Sequence, residues 1–369
     1  RERRIIYSSL IDAEIGKCIL NNMVNETGIK TYLHAWGTMP IMEGNKPVGV
    51  VFESKSGRQA IMAKVVIDAT GDGDLLPFTG ATFDTDIDPR IRIANLSLCY
   101  WIDNVNLVKV EDFRREYPDK WGEMMMELMQ QGGHPGFMRS NLPNQEKVVW
   151  VHPRYANKSQ TDVEELTRVE MLGREKMLLT FDYFKKNIPG FEESFIVLSS
   201  PQLGTRGARR VHGDYMVTSE DLQRNEPFTD TIAVFPDLDR GKNSLNSPLT
   251  FIPYRSLLPK GVDNMLVGCR AFSSDQETNN FFNLIPHCIA IGEAAGTAAA
   301  IALKQGVTVR DVDIEALKKQ LIKQDVILPG AYPEKYKKPG CDRVTVFEVP
   351  FFGEWQVPKK DGSQIKAEH

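Results

Sequence analysis

The stretch VVIDATGDGDLLPFTGATF, from Val65 to Phe83, decides the fold. Its apolar start predicts a buried strand, and the glycines and aspartates that follow predict a tight turn. Residues as small as Ala69 and Gly71 allow a ligand to approach the backbone closely. In α/β proteins nucleotides bind across the carboxyl ends of parallel strands, where this turn would lie. The stretch therefore predicts an α/β fold with a ligand-binding turn after this strand.

The acidic residues of this turn admit two interpretations. Asp72 and Asp74 could accept hydrogen bonds from ribose or ribityl hydroxyls of a bound nucleotide. They could equally cap a helix or bind neighbouring backbone amides, in which case the turn would be purely structural. The turn alone leaves both interpretations open.

The segment before the turn predicts a helix, a strand and an antiparallel pair. Apolar residues recur at helical spacing over Asp12–Gly28, whose first residue suits an N-cap and whose last residue suits a stop. A strand is expected at Lys30–Ala35. A hairpin-like pair follows at Pro40–Glu53 and Gln59–Val66, with turns at GNKP and SKSGR. The turn after Val65–Asp68 therefore lies at the carboxyl end of a strand.

The character of the chain changes between Asp84 and Ser247, where polar and aromatic segments dominate. Apolar spacing predicts helices at Trp121–Met129, which is rich in methionine, and at Glu164–Lys186. Such methionines more often fill a core than form a ligand surface. We expect this region to be an inserted α+β domain that covers a substrate.

The pattern of the first segment resumes near Pro248. A short strand is expected at Asn264–Val267, a helix rich in alanine and glycine at Ile285–Lys304, and an amphipathic helix at Ile314–Lys323. The expected units are the first part of one domain at 1–83, the inserted domain at 84–247, the closing part at 248–310, and a C-terminal helix and tail at 311–369.

Composition excludes several classes of partner. The 369 residues carry a formal net charge of −4 without a basic block, which argues against nucleic-acid binding. No run approaches the roughly 20 consecutive apolar residues that cross a bilayer, so no membrane span is expected. The cysteines are odd in number and scattered without a CxxC pair, which favours reduced thiols in a cytoplasmic protein. No histidine spacing predicts a metal site.

The sequence resembles a known family in several blocks. These blocks are VVIDATGDGDLLPFTGA, SPQLGTRGARRVHGDYMVTSEDL, FIPYRSLLPKGVDNMLVGCRAFSSD and IPHCIAIGEAAGTAAAIALKQG. Their order and spacing resemble FAD-dependent oxidoreductases with a glutathione-reductase-type FAD domain. The resemblance implies FAD as cofactor and a three-layer, Rossmann-like FAD-binding domain.

The resemblance also implies the residues that bind the cofactor. Ala69, Thr70 and Gly71, with Asp74, would form a turn that contacts FAD. Gly268 and Arg270 would lie near the ribityl chain and pyrophosphate. The helix start would point free amides at the flavin pyrimidine ring, through Pro286, His287, Cys288 and Ile289. A helix amino terminus carries partial positive charge, which independently favours negative charge at N1–C2=O of a reduced flavin. A helix that serves only the core is the alternative.

One element of the family is absent from the printed sequence. The family has a strand, a GxGxxG turn and a helix that bind the pyrophosphate and adenosine ribose, and no GxGxxG occurs here. We expect either a missing amino-terminal portion or another polypeptide that supplies it, so this chain alone need not retain FAD. A homo-oligomer is a further expectation.

Catalytic candidates come from the helix start and from an arginine-rich segment. His287 would lie beside the flavin and could act as a neutral base, or it could be a buried histidine that shapes the turn. In TRGARRVHGDY, Arg206 and Arg209 could hold a carboxylate or an oxyanion, whereas a structural role is favoured for Arg210. Tyr254 and Arg255 could line the substrate cavity or pack a hinge.

The leading hypothesis is an FAD-dependent dehydrogenase or reductase. It would transfer hydride between a small organic substrate and the flavin N5. An NAD-dependent dehydrogenase would not need the GCR and IPHCIAIGEAAG blocks. Cys269 and Cys288 do not have the spacing of a redox-active pair, which argues against a disulfide reductase. The alternative is a flavin-binding subunit or a non-catalytic partner of a larger complex.

Overall fold

The structure is a computed structural model of the chain. It describes residues 12–140, 142, 145–156, 159–224, 226–236 and 249–329. Cys341 and the tail expected after residue 329 lie outside the described residues.

The helices predicted from the sequence are present among the described residues, together with three that were not predicted. The helices are α1 Ala13–Thr27, α2 Leu107–Glu116, α3 Pro118–Gln130, α4 Val163–Asn187, α5 Ser219–Arg224, α6 Gln276–Phe282, α7 Ile285–Gln305 and α8 Ile314–Lys323. Those not predicted are α2, α5 and α6. The first helix has the predicted caps, because the Asp12 carboxylate accepts from the amides of Glu14 and Ile15 and Gly28 adopts a left-handed conformation.

Strands of the described residues are mostly short. The strands are β1 Ala35–Glu43, β2 Lys46–Ser54, β3 Gly57–Met62, β4 Val66–Asp68, β5 Phe83–Asp84, β6 Asn95–Leu96, β7 Tyr100–Asp103, β8 Met138–Arg139, β9 Val149–Val151, β10 Tyr155–Ala156, β11 Phe195–Ser199, β12 Arg210–Val211, β13 Thr231–Pro236, β14 Leu249–Pro253 and β15 Met265–Val267.

A parallel pair of strands joins the two distant segments that the sequence assigns to one domain. β4 pairs with β15 in register from Val66 opposite Met265 to Asp68 opposite Val267. Side chains alternate between the two faces of this pair. Ile67 and Leu266 pack with α7, whereas Val66 and Val267 pack on the other side with Val50 of the β1–β3 meander. Helix, parallel strands and meander thus form three layers, as the α/β fold predicts.

The meander begins at Ala35, before the start expected for the hairpin-like pair at Pro40, and the separate strand expected in front of it is absent. The expected strand at Lys30–Ala35 is wrong, because the described residues 12–34 contain no strand. His34 has φ of 55°, which is incompatible with extended backbone, so β1 can start only after it. The turns expected at GNKP and SKSGR are present, since β1, β2 and β3 pair antiparallel around them.

A second sheet lies within the segment expected to be inserted. Its strands run in the order β11-β7-β9-β8, and all adjacent pairs are antiparallel. Helices α2, α3 and α4 pack on it around a core that includes Tyr100, Val149, Met125 and Phe184. Met124 and Met125 are buried there, as expected for core methionines.

Packing divides the described residues of the segment 84–247 among several cores, of which two are large. Residues 100–191 form the core of the second sheet, whereas Val217, Leu222 and Phe235 pack with α7 and α8. The antiparallel pair β13–β14 belongs to that same core, through Ile232 and Ile252. The division into domains stays a prediction, and this packing would place the return to the first unit before Val217.

Among the described residues, helix α7 is the one that is long and apolar enough to be a candidate membrane span. Inside the protein, 44% of this stretch is buried. Ala294, Ala295 and Ala298 are fully buried against the parallel strands and their neighbours. Core packing therefore accounts for its apolar composition.

Candidate functional site

The turn after β4 is organised by a buried aspartate that the sequence analysis did not select. Asp68 is fully buried, and its Oδ1 accepts hydrogen bonds from the Thr70 amide at 3.1 Å and hydroxyl at 2.7 Å. Its Oδ2 accepts from the Leu75 amide at 3.1 Å. These bonds close the turn and leave Ala69 and Thr70 exposed at the edge of the parallel strands. An aspartate at a strand end, two residues before a threonine, is the signal that could have identified it.

Gly71 brings the turn into contact with Arg270. Its φ is +91°, and a Cβ at this position would lie 2.7 Å from the Arg270 Nη1 atom. The guanidinium therefore packs directly on the glycine backbone. Arg270 also forms an ion pair with Asp72, with 2.8 Å between Nη2 and Oδ1, and donates to the Thr205 hydroxyl at 2.9 Å. Residues from distant segments thus meet at one edge.

Arg209 ties the inserted segment to the same turn. Its Nη1 donates to the Asp72 carbonyl at 3.0 Å and to Asp74 Oδ1 at 2.9 Å. Burial raises the pKa of Asp74, with smaller contributions from Asp72 and Asp68, whereas Arg209 lowers it. Arg209 and Asp74 therefore bind each other, which supports a structural role for this arginine.

The amino terminus of α7 lies beside this edge. Burial raises the pKa of the Cys288 thiol, while the charge and backbone of Arg270 act in the opposite direction, which places the thiol next to Arg270. Ile285 and Ile289 are 70% and 65% exposed, and Pro286 is also exposed. No side chain caps this helix start. Its first-turn amides are therefore available to a ligand that lies on the edge.

His287 points away from that edge. It is only 3% exposed, and its ring centroid lies 4.1 Å from that of Phe235 and 5.2 Å from that of Phe282. Burial, with a smaller effect of the Arg92 charge, lowers its pKa to about 4. This placement supports the packing role that the sequence left open beside the catalytic one.

Gly268 is also buried, but it serves packing. A Cβ on it would lie 2.9 Å from Ile67 Cγ2 and 3.2 Å from Ala295 Cβ. The missing side chain therefore lets α7 approach the strands. The sequence analysis placed Gly268 near the ribityl chain. In the structure Gly268 allows α7 to lie close to the strands, and it thereby helps to position the α7 amino terminus at the edge.

Arg206 reaches the second sheet. Its Nη2 lies 2.9 Å from His152 Nε2, one residue after β9. The buried Gln160 fixes its backbone, because Gln160 Oε1 accepts from the amides of Arg206 and Gly207. The preceding residue, Thr205, donates to Asp72 Oδ2 at 2.9 Å. Arg206 therefore lies between the turn and the second sheet.

Other cationic candidates have internal partners. Arg210 is buried, donates to the Asp86 carbonyl at 3.0 Å, and has a pKa lowered by burial, in line with the structural role favoured for it. Arg255 lies 4.6 Å from the Tyr215 ring centroid and pairs with Asp230. The Tyr254 hydroxyl donates to the Val309 carbonyl at 2.6 Å. Internal contacts thus hold both Tyr254 and Arg255 in place.

No set of three or more histidines, cysteines, aspartates or glutamates in the described ranges is arranged to hold a metal ion.

Comparison with known proteins identifies the family. The model of a family described as FAD dependent oxidoreductase matches residues 2–321. The chain belongs to the FAD dependent oxidoreductase family. Its cofactor is accordingly FAD, and its relatives are flavin-dependent enzymes. No curated protein matches the chain.

The chain is also similar, at low sequence identity, to parts of solved flavin enzymes. The myxobacterial chondrochloren halogenase CndH has 11% identity and a TM-score of 0.39, over 86% of this chain and 56% of that one. The flavin-dependent brominase Bmp2 has 11% identity and a TM-score of 0.38, over 85% and 60%. p-Nitrophenol 4-monooxygenase PnpA from Pseudomonas putida DLL-E4 has 11% identity and a TM-score of 0.29, over 55% and 45%. The chain thus spans about three fifths or less of these structures.

The residues at the edge fit part of an FAD molecule. The exposed Ala69 and Thr70 leave the backbone of the turn accessible to a ligand, and Gly71 makes room for the Arg270 guanidinium beside it. Arg270 supplies positive charge, and the α7 amino terminus supplies amides and an apolar rim through Ile289. Charged donors beside small residues suit the ribityl chain and the polar edge of a flavin.

Proposed function

We propose that this protein is an FAD-dependent oxidoreductase that transfers hydride between a small organic substrate and the flavin N5. The observation that carries the proposal is the convergence of Gly71, Arg270 and the exposed start of α7 at one edge of the parallel strands. When bound, FAD supplies the hydride-transferring atom. A glutathione-reductase-type, Rossmann-like arrangement of this domain belongs to the same proposal.

The residues of this chain would position the cofactor and its charge. Ala69 and Thr70 would contact the ribityl side, and Arg270 would neutralise negative charge nearby. The α7 amino terminus, through the amides near Pro286 and Ile289, would favour negative charge on the N1–C2=O edge. The second sheet and Arg206 would lie on the substrate side. His287 remains a predicted catalytic residue, although its burial supports packing instead.

A further polypeptide segment would complete the site. Helix α1 has no buried residue, and four of its apolar side chains are more than half exposed. These side chains are Ile15, Ile19, Leu20 and Met23. Trp36 and Met62 of the meander are also exposed. An apolar surface of this kind favours a partner, and we propose that it packs against a segment with the strand–GxGxxG–helix pattern.

Sulfite tests hydride transfer without a known substrate. It adds to the flavin N5 as hydride does and places negative charge on the same N1–C2=O edge, which the α7 start would stabilise. The bound flavin should therefore lose its visible absorption band at lower sulfite concentrations than free FAD. Ile289→Asp should raise the required concentration about two- to fivefold, since it sets a carboxylate beside that edge.

A matched variant isolates the effect of position on α7. Leu303→Asp introduces the same charge at an exposed site near the other end of the helix, and it should react as wild type does. Aspartate near a helix amino terminus stabilises the helix, so unfolding would not explain a change in Ile289→Asp. Bound flavin no more reactive than free FAD would contradict the stabilisation of negative charge by the α7 start, on which the proposed hydride transfer relies.

A further inference from the structure

The end of strand β9 carries a group of cationic side chains that the proposed chemistry does not explain. His152 follows β9 directly, and its Nε2 lies 2.9 Å from Arg206 Nη2. Its ring stacks on Trp150, with 5.7 Å between centroids. The arginine donates and the ring nitrogen accepts, so this contact requires the neutral imidazole with its proton on Nδ1.

Positive charge dominates the surroundings of His152. Burial lowers its pKa to about 4, and Arg206, Arg154 and His134 each lower it further. The pKa of His134 is also lowered to about 4, by burial and by Arg154. Within the described part of the chain, the charges that shift the pKa values of the two histidines are all positive. A group with this field attracts an anion.

Neighbouring residues hold this group of side chains in place, and the group adjoins the turn at which FAD is proposed to bind. Gln160 is buried, accepts from the amides of Arg206 and Gly207, and donates to the Ile93 carbonyl. Thr205 bonds to Asp72 and Arg270 at the turn. An anion held by Arg206 would therefore lie between the second sheet and that turn, beside the residues proposed to bind the cofactor.

We propose that Arg206 and His152 form a binding site for the carboxylate of a small organic acid, with Arg154 supplying further positive charge. The planar guanidinium fork matches the geometry of a carboxylate. The His152 imidazole would turn from acceptor to donor on binding, because a neighbouring anion stabilises its protonated form. This inference rests on the proposed function in one respect, namely that the acid is the substrate of the oxidoreductase.

Binding of simple acids to the full chain, with FAD present, tests the site. Acetate and benzoate are titrated beside the neutral amides acetamide and benzamide, and NMR signals of the histidine rings report binding. We expect both acids to bind, the amides not to bind, and the pKa of His152 to rise with bound acid. Absence of binding by both acids, or equal binding of acids and amides, would overturn the proposal.

Variants assign the binding to the two residues. Arg206→Gln should weaken acid binding about 10- to 100-fold, as expected for loss of a charged hydrogen-bonding partner. Arg206→Lys should weaken it less, because the charge remains without the fork, and His152→Gln should abolish the histidine signal and weaken binding. Arg115→Gln, at an exposed arginine of α2, is the matched control. Wild-type binding by both Arg206→Gln and His152→Gln would refute the assignment.

The same samples separate this inference from the proposed function. Acid binding that depends on Arg206, together with bound flavin no more reactive toward sulfite than free FAD, would leave the carboxylate site in place and count against the proposed function. Flavin binding with normal sulfite reactivity, but no acid binding, would refute only the carboxylate site. Melting temperatures of all variants show whether each remains folded.

Discussion

At the scale of single residues, buried polar groups determine the shape of the edge. Asp68 holds the turn closed through bonds to Thr70 and Leu75. His287 packs between Phe235 and Phe282 and faces away from the turn. The two residues show that chemistry-bearing side chains in the family blocks can serve the architecture of a site and not its reaction.

Burial of His287 predicts a specific loss of stability in acid. Its pKa is lowered from 6.5 to about 4 in the folded protein. Between these values the unfolded chain binds a proton that the folded chain does not, so stability falls as the pH drops through this range. His287→Phe should reduce this fall by up to about 1.4 kcal/mol per pH unit, as measured by urea unfolding near neutral and acid pH.

Two controls accompany this measurement. One is the pH dependence of stability that remains in His287→Phe, and the other is a variant that changes the packing alone. His134 and His152 also have pKa values lowered to about 4, so His287→Phe should retain part of the acid sensitivity. Phe235→Leu changes the same packing without removing a titrating group. It should lower stability equally at both pH values. An unchanged slope in His287→Phe would show that the histidine ring is accessible to protons in the folded protein.

At the scale of elements, the closeness of α7 to the parallel strands positions the site. Gly268 leaves no room for a side chain between Ile67 and Ala295. Gly268→Ala should therefore push α7 from the strands and destabilise the protein by about 1–3 kcal/mol, the usual cost of overpacking. Urea unfolding measures this change, and flavin binding should weaken with it.

Gly296 of the same helix is the matched control. A Cβ on Gly296 meets nothing within 4 Å, and alanine is a better helix former than glycine. Gly296→Ala should therefore raise stability by about 0.5–1 kcal/mol. Equal effects of the two substitutions would contradict the close approach of α7 to β15.

Elements with strong local signals are the ones that the sequence predicts well. The α1 caps and the bounds of α8 follow from short-range chemistry and spacing. The start of β1 was missed because the unusual φ of His34 leaves no trace in the apolar pattern. The second sheet could not be assembled either, since β7 pairs with strands from distant parts of the chain.

At the scale of the whole molecule, the site depends on contacts that local patterns do not encode. The resemblance correctly grouped the turn with Arg270 and α7, which the pairing of β4 and β15 brings together. It could not show that His287 and Gly268 are buried, because the burial of both residues depends on how α7 packs. His152 was missed because a lone histidine after an apolar strand resembles a structural residue.

The most direct test of the flavin edge is a fluorescence titration of FAD with wild type, Gly71→Ala and Gly80→Ala. Both glycines have positive φ, but only a Cβ at Gly71 would collide with the Arg270 guanidinium. Backbone strain is thus shared, and displacement of Arg270 is specific to the first variant. We predict saturable FAD binding by wild type and Gly80→Ala, and binding weaker by about tenfold or more in Gly71→Ala. Equal affinities of the two variants for FAD would contradict the placement of FAD at this edge.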